Sequence, residues 1–182
     1  TITAAPQGFN FTVPTEIVHL PSQGVFYPEG NSLHGRDTVE IRYMTAKEED
    51  ILASPSLLKE GKIIDRLLES VIVDRSIRIG DLLIADRNAL MVAARITGYG
   101  HELETTVSCL GCGSSNGHSF DLTDMSPGED PEGLEFVRRD GSTFVFNLPV
   151  SEVEVAIRPL FVSDEKYLDE LQENKRKLNL PE

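Results

Sequence analysis

Basic side chains are scarce in this sequence: 17 lysines and arginines face 30 aspartates and glutamates, giving a formal net charge of -13 over 182 residues. Phosphate recognition draws on clustered Lys and Arg, so DNA, RNA and anionic lipid are poor partners for such a chain, and basic protein surfaces are better ones. No apolar run approaches the roughly 18 residues that a membrane span requires. The first residues, Thr1 to Pro6, lack the basic stretch followed by an apolar run that marks a secretion signal, which predicts a soluble protein made in the cytoplasm. Two cysteines, Cys109 and Cys112, are too few and too close together to staple a secreted fold. No Gly-x-Ser-x-Gly elbow or comparable nucleophile setting occurs, and the many acidic pairs lack the apolar surroundings that raise a carboxyl pKa. The sequence therefore predicts no enzyme and no small-molecule substrate.

What is present reads as α+β. To about Asn31 the chain resembles an extended arm: Phe9, Phe11 and Val13 alternate, Glu16 to Leu20 forms a short strand, and Pro6, Pro14, Pro21 and Pro28 punctuate the rest. Phe9, Phe11, Val25, Phe26 and Tyr27 need burial against this domain or against a neighbour, and they are the candidate interface residues. Addition of Pro14 to Pro28 as a strand on a neighbour's sheet is the specific expectation. Thr38 to Met44 alternates like a strand and runs into Thr45-Ala46-Lys47-Glu48, a capping-box signature that starts a helix. Ser54-Pro55 ends or bends it. Apolar pairs at Ile63-Ile64, Leu67-Leu68 and Val71-Ile72 then mark a core helix. A second helix is predicted from Asp86 as N-cap to Thr97, with Gly98 in the left-handed C-terminal position. Gly98-Tyr99-Gly100 follows that helix and does not lead into one, so it terminates the helix and offers no phosphate loop. His19 and His34 read as packing or surface residues.

Beyond Glu102 the pattern turns to strands, over 103–109, 117–122, 134–139 and 142–148, the last two joined at Asp140-Gly141. The predicted organisation is an arm (1–31), a strand-helix core (32–101), an antiparallel β insertion (102–150) and a second strand-helix unit (151–182). That second unit echoes the first. Val39-Glu40-Ile41-Arg42 followed by Glu48-Glu49-Asp50-Ile51-Leu52 aligns without gaps on Val155-Ala156-Ile157-Arg158 followed by Asp164-Glu165-Lys166-Tyr167-Leu168. The echo predicts a closing helix over 165–178 that looks outward, from a second unit that is cut short.

Cys109-Leu110-Gly111-Cys112-Gly113 is the one chemically loaded motif. Between strand-like segments it makes a tight turn that brings two sulfurs together, half of a tetrahedral zinc site, which His118 or a partner's ligands could extend. His101 could join only if the chain folds back. A merely structural knuckle with reduced thiols is the plainer account, and a redox pair the least favoured, because redox pairs open a helix after a strand.

Four stretches in this order, Leu20 to Pro28, Met44 to Leu52, Asp86 to Leu90 and the Cys-x-x-Cys-Gly hairpin, resemble the baseplate hub subunit family of T-even-like contractile-tailed bacteriophages. The resemblance covers roughly residues 16 to 125 well and the remainder loosely. It implies a structural subunit of the tail baseplate or its hub in the virion, built in the host cytoplasm and acting through contacts with other tail subunits or copies of itself, with no cofactor. A hub assembly chaperone absent from the mature particle and a zinc-knuckle adaptor are the alternatives.

Overall fold

Alternation in Thr15–His19 (β1) and Thr38–Arg42 (β2) produces an antiparallel pair, with Val18 opposite Val39 and Ile17 opposite Glu40. The computed structural model describes residues 13–124 and 138–178. Of the Pro14 to Pro28 segment expected to add to a neighbour's sheet, Thr15–His19 pairs with β2 of its own chain in a two-stranded sheet. The reason is burial: Val18 and Leu20 alternate into the interior beside Leu33, Val39 and Ile41.

Three short helices follow, Ala46–Leu52 (α1), Pro55–Lys59 (α2) and Ile63–Val71 (α3). Pro55 sits at the first turn of α2, where its missing N–H costs nothing. Gly61, at φ +66, turns the chain so that α3 packs back on α1. Leu67, Leu68 and Val71 form the buried stripe that the paired spacing predicts. At its end Ile72 bridges to Ile41, and the Val73 N–H donates to the Glu40 carbonyl at 3.0 Å.

The long helix Ile84–Tyr99 (α4) begins three residues before the predicted start and ends two after the predicted end. Leu83 is its N-cap, and Asp86 lies at the third helical position. Gly100, at φ +83, takes the terminal left-handed place expected of Gly98. Gly98 is instead a close-approach site, because a Cβ there would lie 2.7 Å from the Met44 sulfur.

Glu102–Ser108 (β3) and Ser115–Asp121 (β4) form a hairpin of exposed residues. Arg138–Asp140 (β5), Thr143–Asn147 (β6) and Glu154–Ile157 (β7) make a three-stranded antiparallel sheet in that order. Asp140 pairs with Thr143, so the two-residue loop is Gly141-Ser142. Helix Val162–Lys177 (α5) closes the described chain, three residues earlier in start than predicted. The fold is α+β, with the core formed by β1, β2, α3 and α4 and capped by the buried Val162.

Candidate functional site

Tyr27, expected at an interface, is 2% exposed and belongs to the interior of its own chain. Its hydroxyl donates to Asp86 Oδ2 at 2.7 Å and accepts the Leu83 N–H at 3.0 Å. The Ser22 N–H and hydroxyl reach the same Asp86 carboxyl at 3.0 and 2.6 Å. Burial, then the neighbouring Asp86, pushes the Tyr27 phenol well above its ordinary pKa. A buried carboxyl with three donors is satisfied, which is what makes its burial tolerable. Phe26 packs on the core and lies 5.6 Å, ring to ring, from Phe144, while Val25 is exposed on the same turn. Phe9 and Phe11 lie outside the described residues.

The protruding hairpin has two faces. Leu103 opposes Phe120, Thr105 opposes His118 and Val107 opposes Asn116, and directly opposed residues share a face. That face alternates apolar and polar side chains, and its apolar members Leu103, Val107 and Phe120 are exposed, as is Leu110 at the tip, fully so. Glu102, Glu104 and Asp121 belong to the other face, by the alternation of a strand. At the base His101 Nδ1 lies 3.1 Å from Asp121 Oδ2.

Of the three candidate metal ligands, the fold brings two together. The Cys109 N–H donates to the Ser114 carbonyl, and the Gly113 N–H to the Cys109 carbonyl, both at 2.8 Å, with Gly113 at φ +72. This turn sets both thiols at the surface. Hydrogen bonds from the Ser114 hydroxyl and backbone, then from Cys109, hold the Cys112 thiol below its ordinary pKa. His118 lies further down β4, its ring edge-on to Phe120 at 4.3 Å. Among the described residues no group of three His, Cys, Asp or Glu side chains converges as a metal site.

A feature missed in the sequence lies in the two echoed units. In the first, Arg42 Nη2 donates to Glu48 Oε1 at 2.6 Å, and the Thr45 N–H and hydroxyl donate to Glu48 Oε2 at 2.9 and 2.6 Å. Ser70 on α3 completes this knot, its hydroxyl on Glu48 at 2.6 Å and its carbonyl accepting Arg42 Nε at 2.9 Å. In the second, Arg158 grips Asp164 with both terminal nitrogens at 2.7 and 2.9 Å, and the Phe161 N–H donates to Asp164 at 2.9 Å. Both are an arginine at a strand end holding the third residue of the following helix. The gapless alignment was the available signal, since it sets Arg42 on Arg158 and Glu48 on Asp164.

A further apolar recess of about 710 Å³ lies between the end of β1 and α4, lined by Leu20, Pro21, Ala85, Ala89, Val92 and Ala93 among others. No described helix is long and apolar enough to cross a membrane.

The N-terminal segment folds onto a helical core, and the exposed hairpin and α5 turn apolar side chains outward. The chain belongs to the family of T4 bacteriophage base plate proteins, whose family model matches residues 14–178. It is accordingly a structural protein of a phage tail baseplate, placed in the tail of the virion. No curated protein and no solved structure matches it.

Proposed function

We propose that this baseplate protein is a subunit of the central hub of a contractile tail, joining its neighbours during virion assembly through apolar faces and carrying out no catalysis. The observation behind this reading is the hairpin: a strand pair that holds Leu103, Val107 and Phe120 on one exposed face and Leu110 at its tip leaves apolar area in water that a neighbouring subunit would cover. The exposed Val25 and the adjoining Phe26 form a second contact region, and Phe9 and Phe11 are further candidate contacts. The net charge of -13 favours neighbours with basic rims. Cys109 and Cys112 serve as the tight turn that aims the hairpin, with a metal shared with a partner as the alternative role.

Cross-linking mass spectrometry on purified baseplates tests this. Cross-links from the hairpin to proteins of the central hub are expected. Cross-links confined to peripheral baseplate proteins, or absence of the chain from purified virions, would overturn the hub assignment, the second outcome in favour of an assembly chaperone.

A further inference from the structure

The two echoed units share an arginine-carboxyl clamp but differ in what covers it. In the first unit Ile41 is wholly buried and Met44 and Leu52 pack on the core, because α3 returns across α1 and inserts Ser70 into the clamp. At the aligned positions of the second unit Ile157 is 50% exposed, Leu160 47% and Leu168 46%. Leu171 and Tyr167 extend the same stripe along α5, spaced three, four and seven residues from Asp164 with Leu168. The opposite side of α5 is occupied, by Val162 in the core, the Arg87–Glu165 ion pair and the Lys166–Asp65 ion pair. The exposed stripe is thus not the spare side of a surface helix. It is the side whose counterpart in the first unit is a covered interface.

We propose that the face formed by Ile157, Leu160, Leu168 and Leu171 around the Arg158–Asp164 clamp is a docking site for the C-terminal end of an amphipathic helix supplied by another protein. The first unit specifies the occupant's chemistry. It carries adjacent aliphatic residues, as Leu67-Leu68 do, and a small hydroxyl residue two positions after them in its last turn, as Ser70 is. Charge complementarity fixes the polarity of docking: the closing carbonyls of a helix bear partial negative charge, and Arg42 Nε takes the Ser70 carbonyl in that role. Arg158 Nε, the corresponding donor, meets no described residue, although the guanidinium as a whole is held by Asp164, the Pro159 carbonyl and the Phe161 ring.

The geometry of α5 points to a helix from another chain. In the first unit the helix stops at Leu52, and Pro55 and Gly61 turn the chain back within a few residues. Helix α5 has neither glycine nor proline, and its course from Asp164 to Lys177 carries the chain ~20 Å from the clamp before any turn.

A fluorescent peptide with the sequence Lys62 to Val73, locked helical by a hydrocarbon bridge across its polar face, is the probe. Titrated against the full chain, it is expected to bind saturably and to protect amides of residues 154–171 from exchange. Ile157→Asp should weaken binding at least ~10-fold, since it sets an unpaired carboxylate against aliphatic surface. A probe carrying Ser70→Val should bind several-fold more weakly, on the order of one lost hydrogen bond to a charged group. Both protein positions are half in solvent, so Leu168→Asp serves as a second variant should Ile157→Asp lower the melting temperature. No saturation up to about 1 mM, or equal affinity for wild type and both variants, would overturn the proposal. The proposal rests on the hub reading only in drawing the helix from another tail protein, so failed hub cross-links leave the peptide result standing.

Discussion

Tyr27 and Asp86, 59 residues apart in sequence, share a buried hydrogen bond of 2.7 Å that fastens the N-terminal segment to the first turn of α4. Asp86 lies where the partial positive charge of the helix start favours an acidic group. The same hydroxyl satisfies the Leu83 N–H at the helix N-cap. Tyr27→Phe removes the donor to Asp86 and leaves that N–H buried without an acceptor. The expected cost is about 2–3 kcal/mol in urea unfolding. An unchanged unfolding midpoint would show that the junction contributes nothing.

Glu48 gives the chain an acid-sensitive joint. Burial alone would raise its carboxyl pKa, but hydrogen bonds from Ser70, Thr45 and Arg42 outweigh that and lower it from 4.5 to about 2. A depressed folded-state value means stability that is fully present above the ordinary carboxyl pKa and lost as pH falls through the window from 4.5 to about 2. The contribution is at most about 3 kcal/mol. Glu48→Gln should lower stability at pH 7 and flatten the acid limb of the stability curve. It will not abolish that limb, because Asp164 is held near 2 by the Arg158 bonds and contributes with the same sign. Parallel acid limbs in the two proteins would sink the argument.

Local rules were legible in the sequence; long-range partnerships were not. The capping signature at Thr45 and Glu48 and the α3 stripe could be read because each is decided within one or two helical turns. Asp86 was misplaced as an N-cap, since an acidic residue before an apolar run looks the same in one dimension whether it caps a helix or accepts bonds from Ser22 and Tyr27. Tyr27 in a proline-rich stretch looks like part of an arm until its hydroxyl has a partner. The repeat was visible, yet its clamp was not, because an arginine and a carboxyl six positions apart have no preferred geometry before the strand-to-helix turn sets one. Whether Ile157 is covered depends on neighbours that spacing does not encode.

Gly24 marks the tightest backbone approach beside the core. It adopts φ +72, and a Cβ there would lie 2.4 Å from both the nitrogen and the carbonyl oxygen of Arg36. Backbone atoms cannot swing aside as a flexible side chain can. The Gly35 N–H also donates to the Gly24 carbonyl at 3.0 Å, so the two loop strands are tied at this point. Gly24→Ala combines left-handed strain with a steric clash and should cost about 3 kcal/mol or more. A melting temperature within about 2 °C of wild type would refute it. Gly30, with nothing near its Cβ position, is the control and should tolerate alanine better despite its own positive φ.

The hairpin turn is held by its backbone and by Gly113, so its sulfurs should be dispensable for folding. The Cys109 and Gly113 N–H groups are both bonded across the turn. Both thiols are exposed, and Cys112 is engaged by the neighbouring Ser114 hydroxyl at 3.1 Å. Replacing both cysteines with serine keeps the size and the hydrogen-bonding capacity of each side chain while removing its affinity for soft metals. Exposed substitutions of this kind stay within about 0.5 kcal/mol, which for a chain of this length is a shift of about 2 °C or less. The same small shift is expected when wild-type protein is melted with a zinc chelator. A fall of many degrees in either experiment would mean that the two sulfurs hold a metal whose binding energy is part of the folding energy, and the hairpin would then be a metal-dependent module.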